Sequence, residues 1–161
     1  MKNKVGFGGG CHWCTEAVFQ SLRGVTEVQQ GWISSEKNEV SFSEAVVVYF
    51  DPNLISLMTL IEIHLLTHES TSSHSMRGKY RSAIYYTDEE QQNVVRTILI
   101  NLQLSTPKPY ITKILALIEF KSNEDQFLNY YKTRPEAPFC QTYISPKLSK
   151  IRKQFAKQMN T

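Results

Sequence analysis

A chain of 161 residues, 41% hydrophobic and 20% charged, has the make-up of a globular protein large enough to bury one core. Its formal charge of +3 is too small to point to nucleic acid or an anionic membrane. No apolar run approaches the ~20 residues that span a bilayer, and three cysteines, an odd number, do not make a secreted disulfide scaffold. With no signal-peptide core after Met1, a single-domain, monomeric, cytoplasmic protein is expected, its thiols catalytic or buried.

In chain order, Lys4-Val5-Gly6-Phe7 reads as a short strand and Thr15 to Leu22 as an amphipathic helix, with the glycine run Gly8-Gly9-Gly10 between them. Val25 to Ile33 reads as a second strand, Ser34 to Val40 as a polar loop, and the β-branched Ser41 to Phe50 as a buried strand ended by Asp51-Pro52-Asn53. Leu54 to His68 has helical spacing, with Leu57, Leu60, Ile61, His64 and Leu65 on one face. The serine-rich stretch Glu69 to Lys79 is expected to be an exposed loop of the kind that carries function. Tyr80 to Tyr86 is a strand, and Thr87 caps a helix running to about Leu104 with Val94, Val95, Ile98 and Leu102 inward. After the break Pro107-Lys108-Pro109, Ile111 to Phe120 is read as one strand, followed by a short helix through Tyr131. Pro135 and Pro138 predict an extended passage to Phe139-Cys140, and Ser145 to Lys157 a last helix with Leu148, Ile151 and Phe155 on one side. Its cations, Lys147, Lys150, Arg152, Lys153 and Lys157, read as a solvated face. Strands mixed with helices in this order predict an α+β fold: two layers, with helices packed on a mixed or antiparallel sheet.

The chemistry concentrates in Gly10-Cys11-His12-Trp13-Cys14-Thr15-Glu16. A strand, a glycine turn and a helix place Cys11 at a helix N-terminus, where unpaired N–H groups and the helix dipole favour a thiolate. Cys14, three residues on, shares its helix face and suits a redox dithiol. The spacing of Cys11, Cys14 and Cys140 matches no zinc pattern, so no metal is expected.

These residues resemble the Gly-Cys-Phe-Trp signature of the peptide methionine sulfoxide reductase A family. Three more stretches agree in order: Glu44-Ala45-Val46-Val47-Val48-Tyr49-Phe50-Asp51-Pro52, Thr67-His68-Glu69, and Tyr80-Arg81-Ser82-Ala83-Ile84-Tyr85. The resemblance implies a protein-repair reductase of methionine S-sulfoxide, in oxidised proteins or as the free amino acid. Cys11 would be the nucleophile and Glu44 the acid, with Trp13 and Tyr80 binding substrate. It also implies a sulfenic acid on Cys11 resolved by Cys14 or Cys140, no bound cofactor, and a thioredoxin-like dithiol as external reductant. Cys14 is favoured as the resolving thiol, being on the same helical turn.

Three positions depart from the family pattern: His12 stands where it has phenylalanine, Trp32 where it has a tyrosine, and Ser75 where it has an aspartate. One acid and one phenol are thus missing, so reductase activity is expected to be retained but altered. Arg81, beside Tyr80, fits a structural ion pair equally well and is left out of the site. The alternatives are a weakly active or non-catalytic sulfoxide-binding relative, and a general disulfide oxidoreductase working through Cys11 and Cys14 alone.

Overall fold

The computed structural model describes residues 3–68, 70–72 and 78–160. Six strands, β1 (Lys4–Gly8), β2 (Val25–Ser34), β3 (Ser43–Phe50), β4 (Ala83–Tyr86), β5 (Lys113–Ala116) and β6 (Glu119–Ser122), form one sheet. Its strand order is β5-β4-β1-β3-β2-β6. Four of its ladders are antiparallel, and β4 with β5 is parallel, so the sheet is mixed and the fold α+β as expected.

The single strand expected over Ile111 to Phe120 is two strands on opposite edges of the sheet. Leu117 donates its N–H to Tyr86 beside one edge and Ile118 donates to Ser34 beside the other (2.9 and 3.2 Å). Two residues span at most ~7 Å, so the sheet must curl until its edges approach one another there. The run Ile114-Leu115-Ala116-Leu117-Ile118 is continuously apolar. Hydropathy does not register a change of hydrogen-bonding partner, which is why the sequence reads as one strand.

Inside the curl lie Ile33, Ala45, Val47, Ala83 and Tyr85, with Leu115, Leu117 and Phe120 packed on them. The buried Arg81 guanidinium secures this end by donating to the Ile33 and Ser41 carbonyls and the Tyr85 hydroxyl (3.0, 3.1 and 3.0 Å). It also pairs with Glu39 at 3.3 Å.

The opposite face, through Val5, Phe7, Val46, Val48 and Ile84, carries the helices. These are α1 (His12–Gln20), α2 (Leu57–Thr67), α3 (Glu89–Gln103), the short α4 (Tyr130–Thr133) and α5 (Ser145–Phe155). Phe7 of β1 stacks on Phe19 of α1 at 4.6 Å between ring centroids. Each large side chain so buried contributes ~1.5–3 kcal/mol.

Two local expectations are corrected by capping and proline chemistry. The cap of α3 is Asp88, not Thr87: its carboxylate accepts the Gln91 N–H at 2.8 Å, while the Gln91 side chain reaches back to the Thr87 N–H. The passage around Pro138 is not extended. Pro138 opens a helical stretch that passes through a π-turn at Cys140–Ile144 into α5. Proline fits a first helical turn because its missing N–H would have no partner there.

Gly31 of β2 marks the closest approach of the sheet to its edge. A Cβ built there would stand 2.0 Å from the Lys121 carbonyl oxygen of β6. Gly31→Ala is therefore expected to cost at least ~2 kcal/mol and to lower the melting temperature by about 5 °C or more in a calorimetric scan. An unchanged melting temperature would contradict this packing.

Candidate active site

The turn between β1 and α1 is shaped by what lies against it. Gly9 has φ of +154°, and a Cβ there would fall 2.5 Å from the His68 ring. The fully buried His64 of α2 donates from Nε2 to the Gly8 carbonyl at 2.8 Å, and burial pushes its pKa well below the usual imidazole range. The strand end, the turn and the end of α2 are thus held together.

Helix α1 begins at His12, three residues earlier than hydrophobic spacing indicates, which leaves Cys11 as its N-cap. The Cys11 carbonyl accepts the N–H groups of Cys14 and Thr15 at 3.1 and 3.2 Å. Among the influences on its thiol, the hydrogen bond from the Cys14 thiol is the largest and lowers the Cys11 pKa. The backbone N–H groups of Trp13 and Cys14 lower it further; burial and the Glu44 charge oppose them, and the net shift is downward. The same hydrogen bond, with burial and the adjacent Cys11 charge, pushes Cys14 far above the thiol range. One thiolate is favoured, and it sits on Cys11. Replacing Cys14 by alanine is expected to raise the pH midpoint of Cys11 alkylation by iodoacetamide, since the largest lowering influence is removed. A midpoint that stays put would show that the helix terminus alone sets it.

Cys11 and Cys14 open onto a cavity of about 580 Å³. Its wall comprises Gly9, Gly10, Thr15 and Val18 beside the thiols, Thr67 and His68 at the end of α2, Tyr80, and Phe139, Tyr143 and Lys147 from the C-terminal segment. Lys147 was read as part of a solvated face; instead its ammonium donates to the Thr67 carbonyl at this cavity. Neither Lys147 nor Tyr143 stands out in the sequence, because only the tertiary fold brings the C-terminal helix to the β1–α1 turn.

The other predicted residues gather next door. His12, Trp13 and Trp32 line a second hollow of about 420 Å³ with Phe127 and the segment from Lys121 to Glu124. Trp13 stacks on Tyr130 at 4.2 Å and meets the edge of Phe139, a wall residue of the first cavity, at 5.3 Å. It also stacks on Phe127, which lines the second hollow, at 5.8 Å. Trp32 meets the His12 ring edge-on at 5.1 Å.

Glu44, at the start of β3, is 6% exposed. Its Oε1 accepts the backbone N–H of His12 at 3.2 Å and lies 3.5 Å from His12 Nε2, and its Oε2 pairs with Lys79 at 3.5 Å. Lys79 in turn is hydrogen-bonded to Tyr80, which with Glu44 raises its pKa. The carboxyl group is thus linked to the residue beside Cys11 and, through Lys79, to the phenol on the cavity wall. Ser75 lies outside the described residues.

Cys140 is fully buried in the π-turn, and burial pushes its thiol pKa up. All three cysteines are free thiols. Among the described residues no group of three or more His, Cys, Asp and Glu side chains is placed to hold a metal ion. No described helix is long and apolar enough to cross a membrane.

Known proteins place this site in context. The family model described as "Peptide methionine sulfoxide reductase" matches residues 3–159. A relative from Thermus thermophilus, named peptide methionine sulfoxide reductase MsrA, is 36% identical over 91% of this chain and 92% of its own. One of the same name from a Psychrobacter species is 34% identical over 94% and 95%. Among solved structures, reduced Mxr1 from Saccharomyces cerevisiae has a TM-score of 0.75 at 20% identity, covering 87% of this chain and 90% of that one. Methionine sulfoxide reductase A of Corynebacterium diphtheriae has 0.70 at 22%, covering 84% and 76%. Mxr1 in complex with Trx2 also matches, with 0.63 at 19%, covering 77% and 82%. From the match along nearly its whole length and the identity to these relatives, the chain belongs to the peptide methionine sulfoxide reductase family.

Proposed function

We propose that this protein is a peptide-methionine (S)-S-oxide reductase, acting on methionine sulfoxide in oxidised proteins and as the free amino acid, and that Cys11 carries the reaction. The observation that bears most on this is the state of its thiol, held at a helix N-terminus and hydrogen-bonded by Cys14.

In the reaction the Cys11 thiolate attacks the sulfoxide sulfur. The oxygen passes to Cys11 with uptake of one proton, giving a sulfenic acid and methionine. Glu44 supplies that proton, as the buried carboxyl group nearest the helix start, with the Tyr80 hydroxyl donating to the oxygen. The aromatic surface that Phe139 and Tyr143 give to the Cys11 cavity takes the methyl group of the substrate, with Trp13 backing Phe139. The Cys14 thiol then attacks the Cys11 sulfenic sulfur, forming a disulfide and releasing water. An external dithiol of the thioredoxin type reduces the disulfide, a reading in keeping with the yeast neighbour solved in complex with Trx2. Cys14 is preferred over Cys140 because its thiol already contacts Cys11, whereas Cys140 has no exposed surface.

The test follows both sulfoxide epimers with dithiothreitol or thioredoxin as reductant. Turnover of the S epimer alone is expected, and its absence would refute the proposal. Mass spectrometry of protein oxidised by one equivalent of sulfoxide is expected to find Cys11 joined to Cys14. In Cys14→Ala one methionine per chain should form before turnover stalls. A Cys11–Cys140 disulfide in the unaltered protein would overturn the choice of Cys14.

A further inference from the structure

His12 occupies a position where the sequence pattern calls for phenylalanine, and its ring is held by more than packing. It is 5% exposed. Nδ1 lies 2.8 Å from the Gly31 carbonyl oxygen. That oxygen can only accept, so Nδ1 carries a hydrogen and the ring plane is set by β2. This leaves Nε2 facing Glu44 Oε1 at 3.5 Å and Asn123 Nδ2 at 3.4 Å. Asn123 is itself fixed, donating to Gln30 Oε1 at 2.6 Å.

We propose that His12 is a positioning residue that shares one proton with Glu44, so that the pair stores the proton released when Cys11 ionises and returns it to the sulfoxide oxygen. This rests on the reading of Glu44 as the acid. With the proton on the carboxyl group, its O–H points to Nε2; with the proton on Nε2, an imidazolium faces the carboxylate. Both arrangements keep the Gly31 bond and a neutral pair. The balance closes: a Cys11 thiolate, one proton on the pair and a sulfoxide give a sulfenic acid and a thioether. When the disulfide is later reduced, the new Cys11 thiol ionises and reloads the pair. A neutral pair also relieves Cys11 of the Glu44 charge that opposes its ionisation.

Other charges face this pair. Lys79 lies 3.5 Å from Glu44 Oε2, and Cys11 adjoins His12 in α1. Glu16, which feels the His12 charge, is held by the Asn129 and Tyr130 N–H groups. Lys121 and Glu124 line the hollow that His12 borders. An imidazole surrenders its proton at a higher pH than a carboxyl group, so sharing extends the proton supply toward neutral and alkaline pH.

The test measures single-turnover methionine formation against pH, using reduced protein and N-acetylmethionine S-sulfoxide without external reductant. His12→Phe is expected to move the alkaline limb of the profile to lower pH and to slow the reaction by about tenfold or more at pH 8. His12→Asn can donate to Gly31 but cannot exchange a proton, and it is expected to behave like His12→Phe; it carries the test alone if the phenylalanine variant does not fold. An unaltered profile in a folded variant, or rescue by asparagine, would overturn the proposal and leave His12 a structural anchor. Glu44→Gln separates the two readings. If it retains the full rate, Glu44 is not the acid; if it is slow while the His12 variants keep the original profile, only the sharing fails.

Discussion

Serine in place of Cys11 is expected to abolish reduction of the S-sulfoxide, lowering turnover by at least ~10³-fold while the protein stays folded. The reason lies in ionisation rather than shape. The Cys14 hydrogen bond and the N–H groups of the helix terminus lower the Cys11 thiol pKa, but an alcohol starts so far above neutral pH that the same influences leave it un-ionised. Oxygen is also a poor nucleophile toward sulfur, and no sulfenic acid could form. Cys11 is partly exposed at the end of its helix, so the exchange leaves no core cavity. Assays with dithiothreitol, beside far-ultraviolet circular dichroism, would check this. Residual turnover within tenfold of the unaltered protein would remove Cys11 from the mechanism.

Glu44→Gln is expected to lower turnover by ~10²–10³-fold through loss of the proton that must reach the sulfoxide oxygen. Glutamine is nearly isosteric and can still accept the His12 backbone N–H that Oε1 receives at 3.2 Å. Its lost pair with the exposed Lys79 is worth little to stability. The variant has a second signature of opposite sign. The ionised form of Glu44 opposes ionisation of Cys11, so a side chain that is neutral at every pH should lower the Cys11 pKa further and speed alkylation wherever the carboxyl group would be ionised. Slow sulfoxide reduction beside fast alkylation would separate an acid from a group that merely maintains the site. A general disulfide oxidoreductase would show only the second effect, and unimpaired sulfoxide reduction would favour that alternative.

What could be seen in advance differs from one residue to the next. The placement of Cys11 at a helix start was legible because strand, glycine turn and helix are contiguous, and backbone geometry within a dozen residues follows from local chemistry. The inward face of α2 was legible for the same reason, from the spacing of Leu57, Leu60, Ile61 and Leu65. The β5–β6 break and the helical start at Pro138 were not. The first depends on which strand supplies a hydrogen-bond partner, the second on how a proline is used by its neighbours.

Local order in the sequence by itself determined the placement of Cys11 at a helix start, its spacing from Cys14 and the α+β class, because periodicity and capping act over a few residues. Tertiary structure alone decided that Glu44 lies against His12, thirty-two residues away in the chain. It also decided that Gly31 anchors the imidazole and that Lys147 reaches the cavity wall. These contacts arise from the curl of the sheet and the docking of the C-terminal helix, which are set by long-range packing that no local pattern encodes. The placement of Cys11 is therefore a property of one turn, and the contact between Glu44 and His12 is a property of the whole fold.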